Sequence, residues 1–133
     1  MAQWYAWGTK GDLVEVPVIP WTGTWENGLD STMKLKVENG TVSGTYRTEV
    51  GAPGNFEEFE MIGTTTGDLI SWTVNWGRYG SITSWVGQHT ADAGGGNERI
   101  VALWQLVKNV AEGVEKENIW GSVLTGAGTF SRI

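Results

Sequence analysis

Ile70-Ser71-Trp72-Thr73-Val74-Asn75-Trp76 is the stretch that decides the fold. Every second residue is large and apolar, and the residues between them are small and polar. A period of two is the signature of a β-strand with one buried face, and a helix would need apolar residues three and four apart. The same alternation recurs on both sides of this run. Val42, Gly44, Tyr46 and Thr48 share one face, as do Ser81, Thr83, Trp85 and Gly87, and Ile100, Ala102, Trp104 and Leu106. Helical periodicity is weak throughout. Working outward, the chain reads as eight strands over 21–27, 31–38, 41–48, 56–64, 68–76, 82–88, 98–107 and 121–132. Asn39-Gly40 supplies the positive φ angles of a tight hairpin, and Gly94-Gly95-Gly96 punctuates the connection before the seventh strand. Residues 108–120 form a longer connection with room for a short helical turn. Short strands at this spacing predict an all-β sandwich or an up-and-down barrel. In a small barrel alternate residues point inward, and eight strands leave room for one small ligand.

The composition narrows the function. The 133 residues suit one domain, and 40% hydrophobic content excludes a disordered chain. The net charge of -6, with nine scattered basic residues, argues against nucleic acid, because phosphate contacts need clustered Lys and Arg. No apolar run approaches membrane-spanning length. With no cysteine and one histidine, the chain has neither disulfides nor thiolate metal sites. Met1-Ala2-Gln3-Trp4 lacks a basic segment followed by an apolar one.

Nine tryptophans are the compositional anomaly. A small protein with this many builds either an unusually aromatic core or an aromatic-walled pocket. Trp25 and Trp72 read as core. Trp76, Trp85 and Trp104 read as core or as pocket wall. The polar residues interleaved with them, Asn27, Ser31, Tyr46, Thr48, Ser81 and Thr83, hydrogen-bond without carrying charge at neutral pH. That mixture suits a neutral polar head group and is poor for catalysis. An enzyme would have to use Glu57, Glu58 and Glu60 as paired carboxylates, as in glycoside hydrolysis, but no apolar pocket is evident to raise their pKa. His89 is expected at a solvated strand end, opposite in strand six to Ser81, and no second His or Cys completes a metal site. A carrier or lectin-like module for another small molecule is the alternative binding function.

Val101, Leu103, Gln105 and Val107 form the outward face of the seventh strand, and Val123, Thr125 and Ala127 that of the eighth. Two adjacent outward faces without charge predict a subunit interface. Residues 1–20 differ from the rest. Trp4, Tyr5 and Trp7 form an aromatic head, and Leu13 to Ile19 reads as extended, with Pro17 and Pro20 confining it to an edge or a coil. The organisation expected is therefore an N-terminal extension over 1–20, packed on the barrel surface or inserted into a pocket, and a barrel domain over 21–133.

Six segments in order resemble the avidin and streptavidin family. They are Gly23-Thr24-Trp25-Glu26-Asn27-Gly28-Leu29-Asp30-Ser31-Thr32, Gly44-Thr45-Tyr46-Arg47-Thr48-Glu49-Val50-Gly51, Ile70 through Trp76, Ser81 through Gln88, Arg99 through Leu106, and Asn118-Ile119-Trp120 through Phe130. The resemblance covers about residues 21–133. It implies an eight-stranded antiparallel up-and-down barrel that binds biotin at one open end, with no catalytic cofactor. Asn27, Ser31 and Tyr46 would donate to the ureido oxygen, and Thr48 would accept from one ureido N–H. Thr83 would approach the thioether sulfur. Trp76, Trp85 and Trp104 would wall the bicyclic ring, beside Leu29 and Leu106. Ser81 and the Ala52 N–H would meet the carboxylate, and Val50 would begin the loop that closes over the ligand. Trp120 resembles the tryptophan that one subunit lends to its neighbour, which favours a homotetramer, with a dimer as the alternative. Secretion is implied in the same way.

One departure stands out. Where the family carries an Asp or Asn two residues before the Phe, this chain has Gly128. The acceptor for the second ureido N–H is missing, which is expected to cost roughly 1–3 kcal/mol, a five- to hundred-fold weakening. Ala127 is also smaller than the interface residue of streptavidin-like chains.

Overall fold

The computed structural model describes residues 17–29, 31–49, 54–110 and 122–133. It contains eight strands: β1 Gly23–Glu26, β2 Ser31–Glu38, β3 Thr41–Glu49, β4 Phe56–Thr66, β5 Leu69–Asn75, β6 Ser81–Thr90, β7 Arg99–Lys108 and β8 Val123–Arg132. A 3-10 turn, Gly77–Tyr79, joins β5 to β6. Each strand pairs antiparallel with the next, and β8 returns to β1, so the sheet closes into a barrel in sequence order. The all-β, eight-stranded up-and-down expectation holds. The Asn39-Gly40 hairpin forms as read, with φ of 51° and 77°.

Closure requires the strands to coil tightly. Gly44 sits inward on β3 at φ 147°, where a Cβ would collide with the Lys34 carbonyl. An inward Cβ at Gly63 would strike β5, at 2.7 Å from Trp72 Cα. Neighbouring strands pass this closely only where a side chain is absent.

The inward faces match the alternation of the sequence. Val42 and Tyr46, Ile70, Trp72 and Val74, Thr83 and Trp85, and Ile100 and Ala102 are all buried. Trp25 and Trp72 are fully enclosed core residues, as expected. Trp25, Met33, Leu35, Val42, Met61, Ile70, Ile100 and Phe130 join Trp72 in one packed cluster. This plug fills the end of the barrel where β1 begins, and the other end is left for the site.

The closed end differs from expectation in one respect. His89 does not stand in solvent: its side chain is 12% exposed. Its ring makes T-shaped contacts with Trp21 and Trp25, at centroid distances of 5.7 and 6.5 Å. Its Nε2 lies 2.7 Å from Glu98 Oε2. The other Glu98 oxygen accepts from Arg132 Nε at 2.6 Å, and the Arg132 guanidinium lies over the Trp25 ring, 4.3 Å from its centroid. Arg132 also donates to the carbonyls of Thr22 (3.0 Å) and Pro20. The cluster clamps the ladder between β1 and β8, which has only two residue pairs, Trp25↔Arg132 and Glu26↔Ser131. β1 is correspondingly shorter than the 21–27 read from sequence.

Residues 17–20 lead up to the buried Trp21, whose carbonyl accepts from Trp25 Nε1 at 3.0 Å. The rest of the expected N-terminal extension and most of the 108–120 connection lie outside the described residues.

Arg132, in direct hydrogen bond, lowers the Glu98 pKa from 4.5 to about 2. A depressed carboxyl pKa stabilises the fold above the unfolded value and ceases to do so as pH falls through the folded one. Glu98→Gln is therefore expected to lower the neutral-pH melting temperature by roughly 3–10 °C. The difference from wild type should close between pH 5 and pH 2. Parallel Tm–pH curves for the two proteins would show that the clamp is not electrostatic.

Candidate functional site

At the end of the barrel opposite the clamp, the β1–β2 connection leaves the wall and the inward side chains change character. Asn27 is the pivot. Its amide oxygen accepts from the backbone N–H groups of Leu29 (2.8 Å) and Ser31 (3.2 Å). With that oxygen engaged, the part of the side chain left free among the described residues is its NH2 donor. Ser31 opens β2 directly opposite Thr48 on β3, and its hydroxyl donates to Thr48 Oγ1 at a long 3.2 Å.

Tyr46 lies one inward position deeper than Thr48. Burial raises its pKa above the usual phenol value, while the Ser31 hydroxyl pulls the other way. The net effect keeps the phenol protonated, and therefore a donor, across the physiological range. Tyr46 stacks on Trp85 at 5.0 Å, and Trp85 stacks in turn on Trp72 at 5.4 Å and 12°. Trp76 meets Tyr46 and Phe59 edge-on at 5.8 and 4.8 Å. These rings form a rigid aromatic wall with little rotamer freedom left to lose. Trp76 Nε1 donates to Thr83 Oγ1 at 2.8 Å, which fixes both side chains and leaves the Thr83 proton to point elsewhere. Below them, the Trp72 indole N–H is the one buried side-chain N or O atom without a partner among the described residues.

One cavity of about 570 Å³ gathers Asn27, Leu29, Ser31, Tyr46, Thr48, Trp76, Thr83, Trp85, Trp104, Leu106 and Gly128. Ser81 does not line it. Ser81 lines an adjoining hollow of about 350 Å³ with Phe59, Tyr79 and Glu49, and the two spaces share Thr48, Trp76 and Leu106. Of the remaining candidates, Val50, Ala52 and Trp120 lie outside the described residues. Phe130, Val101, Ala127 and Thr129 also line the main cavity and are not among the site candidates of the sequence. Phe130 shares the parity of Gly128 and was legible on that ground. The other three face outward by parity, so alternation could not have found them.

Trp104 packs flat on β8, against Gly126, its cross-strand partner. A Cβ at Gly126 would lie 2.6 Å from Trp104 Cε2. The indole borders both the main cavity and a groove on the outer face with Val86, Leu103 and Ala127. By contrast, a Cβ at Gly128 would meet nothing within 4 Å among the described residues.

The carboxylates considered for catalysis are elsewhere. Glu58 and Glu60 are exposed on the outside of β4. Glu57 is held by Arg78 at 2.9 Å and by the Tyr79 hydroxyl at 2.7 Å. Among the described residues, no group of His, Asp or Glu is placed to hold a metal ion.

The sequence matches the Avidin family over residues 17–133. The chain belongs to the Avidin family. Avidin of Gallus gallus is 31% identical over 121 residues, covering 84% of this chain and 77% of its own. The crystal structure of Xenavidin superposes with a TM-score of 0.72 at 28% identity, covering 86% of this chain and 98% of that one. A rhizavidin–biotin complex superposes with a TM-score of 0.67 at 25% identity, covering 84% and 92%. Family membership makes this a binding protein, not an enzyme. Among the described residues, no helix is long and apolar enough to cross a membrane.

Gly126→Ala is expected to push the Trp104 indole off β8, costing roughly 1–3 kcal/mol through overpacking. Denaturant unfolding and tryptophan emission check this together. Unchanged stability and emission would mean that Trp104 does not depend on the missing side chain.

Proposed function

We propose that the chain is a non-catalytic biotin-binding protein that holds the ureido ring in the aromatic cavity. The observation that carries this reading is the convergence of three uncharged donors. Asn27 has its oxygen occupied and its NH2 free, Tyr46 is kept protonated by burial, and Ser31 has a hydroxyl in a long bond that a ligand can replace. Three donors aimed at one carbonyl oxygen polarise it and strengthen one another. Thr48 then accepts from the ureido N–H on its side. The ring packs between Trp76, Trp85 and Trp104, beside Leu29 and Leu106, and the Thr83 proton is directed at the thioether sulfur. Ser81, in the adjoining hollow, fits a role toward the carboxylate end. Val50, Ala52 and Trp120 keep the roles that the resemblance implies.

Gly128 sets the affinity. It offers no side-chain acceptor to the second ureido N–H, so biotin is held less tightly than by a site with Asp or Asn there. A water could restore part of the loss.

The protein acts as a homotetramer secreted from the cell, with the barrel over 21–133 as the binding domain and 1–20 as an appendage. Apolar side chains on the outer face support the oligomer: Val86, Leu103 and Val107 are 64%, 70% and 47% exposed on the single chain.

Titration calorimetry with biotin tests this reading. One site per chain is expected, and Gly128→Asp should tighten binding roughly five- to hundred-fold. Absence of binding by the wild-type protein would overturn the assignment. Binding that is unchanged in Gly128→Asp would remove the missing acceptor from the account.

A further inference from the structure

The cavity wall is incomplete at Gly128. The β1–β8 ladder ends at Glu26↔Ser131, and the next residue, Asn27, turns its N–H to the Ser31 carbonyl at 3.1 Å. The Ile133 N–H donates to the Thr24 carbonyl, so in a regular strand the main-chain groups of Thr129 and Ala127 face the same side. β1 has already left at that level and gives them no strand partner. Thr129, Ala127 and Val101 face outward by parity, yet they border the same cavity as the inward Gly128. The β7–β8 ladder is unbroken here, with Ala102 opposite Gly128, so a space lined by both faces of β8 reaches around its unpaired edge on the β1 side. The absent side chain opens it, since a Cβ at Gly128 would meet nothing within 4 Å among the described residues.

Resting on the biotin reading above, we infer that the gap beside Gly128 is a side recess, through which the site accepts a cyclic urea substituted on the ureido nitrogen that faces Gly128. The recess has a definite chemistry. Among the described residues its bordering side chains are a valine, an alanine and a threonine, with no ionised group. It therefore suits a small neutral substituent such as a methyl or an acyl group. The opposite nitrogen has no such freedom: it faces Thr48, whose strand is paired on both sides, to Ser31 and to Glu57. The site thus tells the two nitrogens of one ring apart. Val101 and Ala127 also belong to the apolar face proposed to meet a second copy. In the assembly the recess is closed from outside, and this caps the size of the substituent.

The test compares biotin with its two N-methyl isomers, by calorimetry on the full-length protein. The isomer methylated on the nitrogen facing Gly128 is expected to bind within about threefold of biotin, and the isomer facing Thr48 about 100-fold or more weaker. In Gly128→Asp, biotin should bind while the first isomer loses its affinity, because the new side chain fills the recess. If biotin binds and both isomers are rejected alike, or both accepted alike, the recess does not exist and the biotin reading stands. If biotin itself fails to bind, both readings fall.

Discussion

The seam between β1 and β8 is the constraint on which the molecule depends. Eight strands of this length close only if the first meets the last, and here the meeting is two residue pairs long. So short a ladder supplies few hydrogen bonds, and Arg132 carries much of the closure. It ties β8 to Glu98 before β7 and to the carbonyls of Pro20 and Thr22 ahead of β1, while its guanidinium covers Trp25. The same shortness shapes the other end. Because β1 stops at Glu26, the following residues leave the wall, and Asn27 is free to turn its side chain over the opening. The clamp and the pocket are two consequences of one truncated strand.

Among the described residues the site shows a consistent avoidance of charge. The groups converging on the main cavity are an amide, hydroxyls, a phenol and indoles, and the nearest carboxylate considered for catalysis is held on the outer rim by Arg78 and Tyr79. Burial then keeps the one titratable member, Tyr46, in its donor form. Hydrogen bonds to the protein's own groups decide which atoms remain for a ligand. Asn27 spends its oxygen on the β1–β2 turn, and Thr83 spends a lone pair on Trp76. Such preorganisation lowers the ordering cost of binding a rigid polar ring.

Much of this was legible in the sequence because a closed sheet enforces period two without exception. The run from Ile70 to Trp76 alone fixes an inward and an outward face, and pairing carries that choice around the barrel. Asn39-Gly40 announced its hairpin through the positive φ angles it needs. The clamp was not legible. Glu98 and Arg132 are 34 residues apart with no local pattern to link them, and His89, expected at a solvated strand end, is enclosed by Trp21 and Trp25. Nor could alternation find Val101, Ala127 and Thr129, because it assumes an unbroken wall, and the wall breaks where β1 ends. Ser81 shares the parity of Thr83 but sits at the very start of β6, beyond the main cavity.

The most direct test of the account is a crystal structure of the protein with biotin, in which the partners of the two ureido nitrogens are read. The ureido oxygen is expected among Asn27, Ser31 and Tyr46, with one nitrogen on Thr48 and the other turned to the gap at Gly128 without a protein side-chain acceptor. A ring bound in the opposite sense, or a second nitrogen bonded to a protein side chain, would contradict the link drawn between the short β1–β8 seam and the chemistry of the pocket.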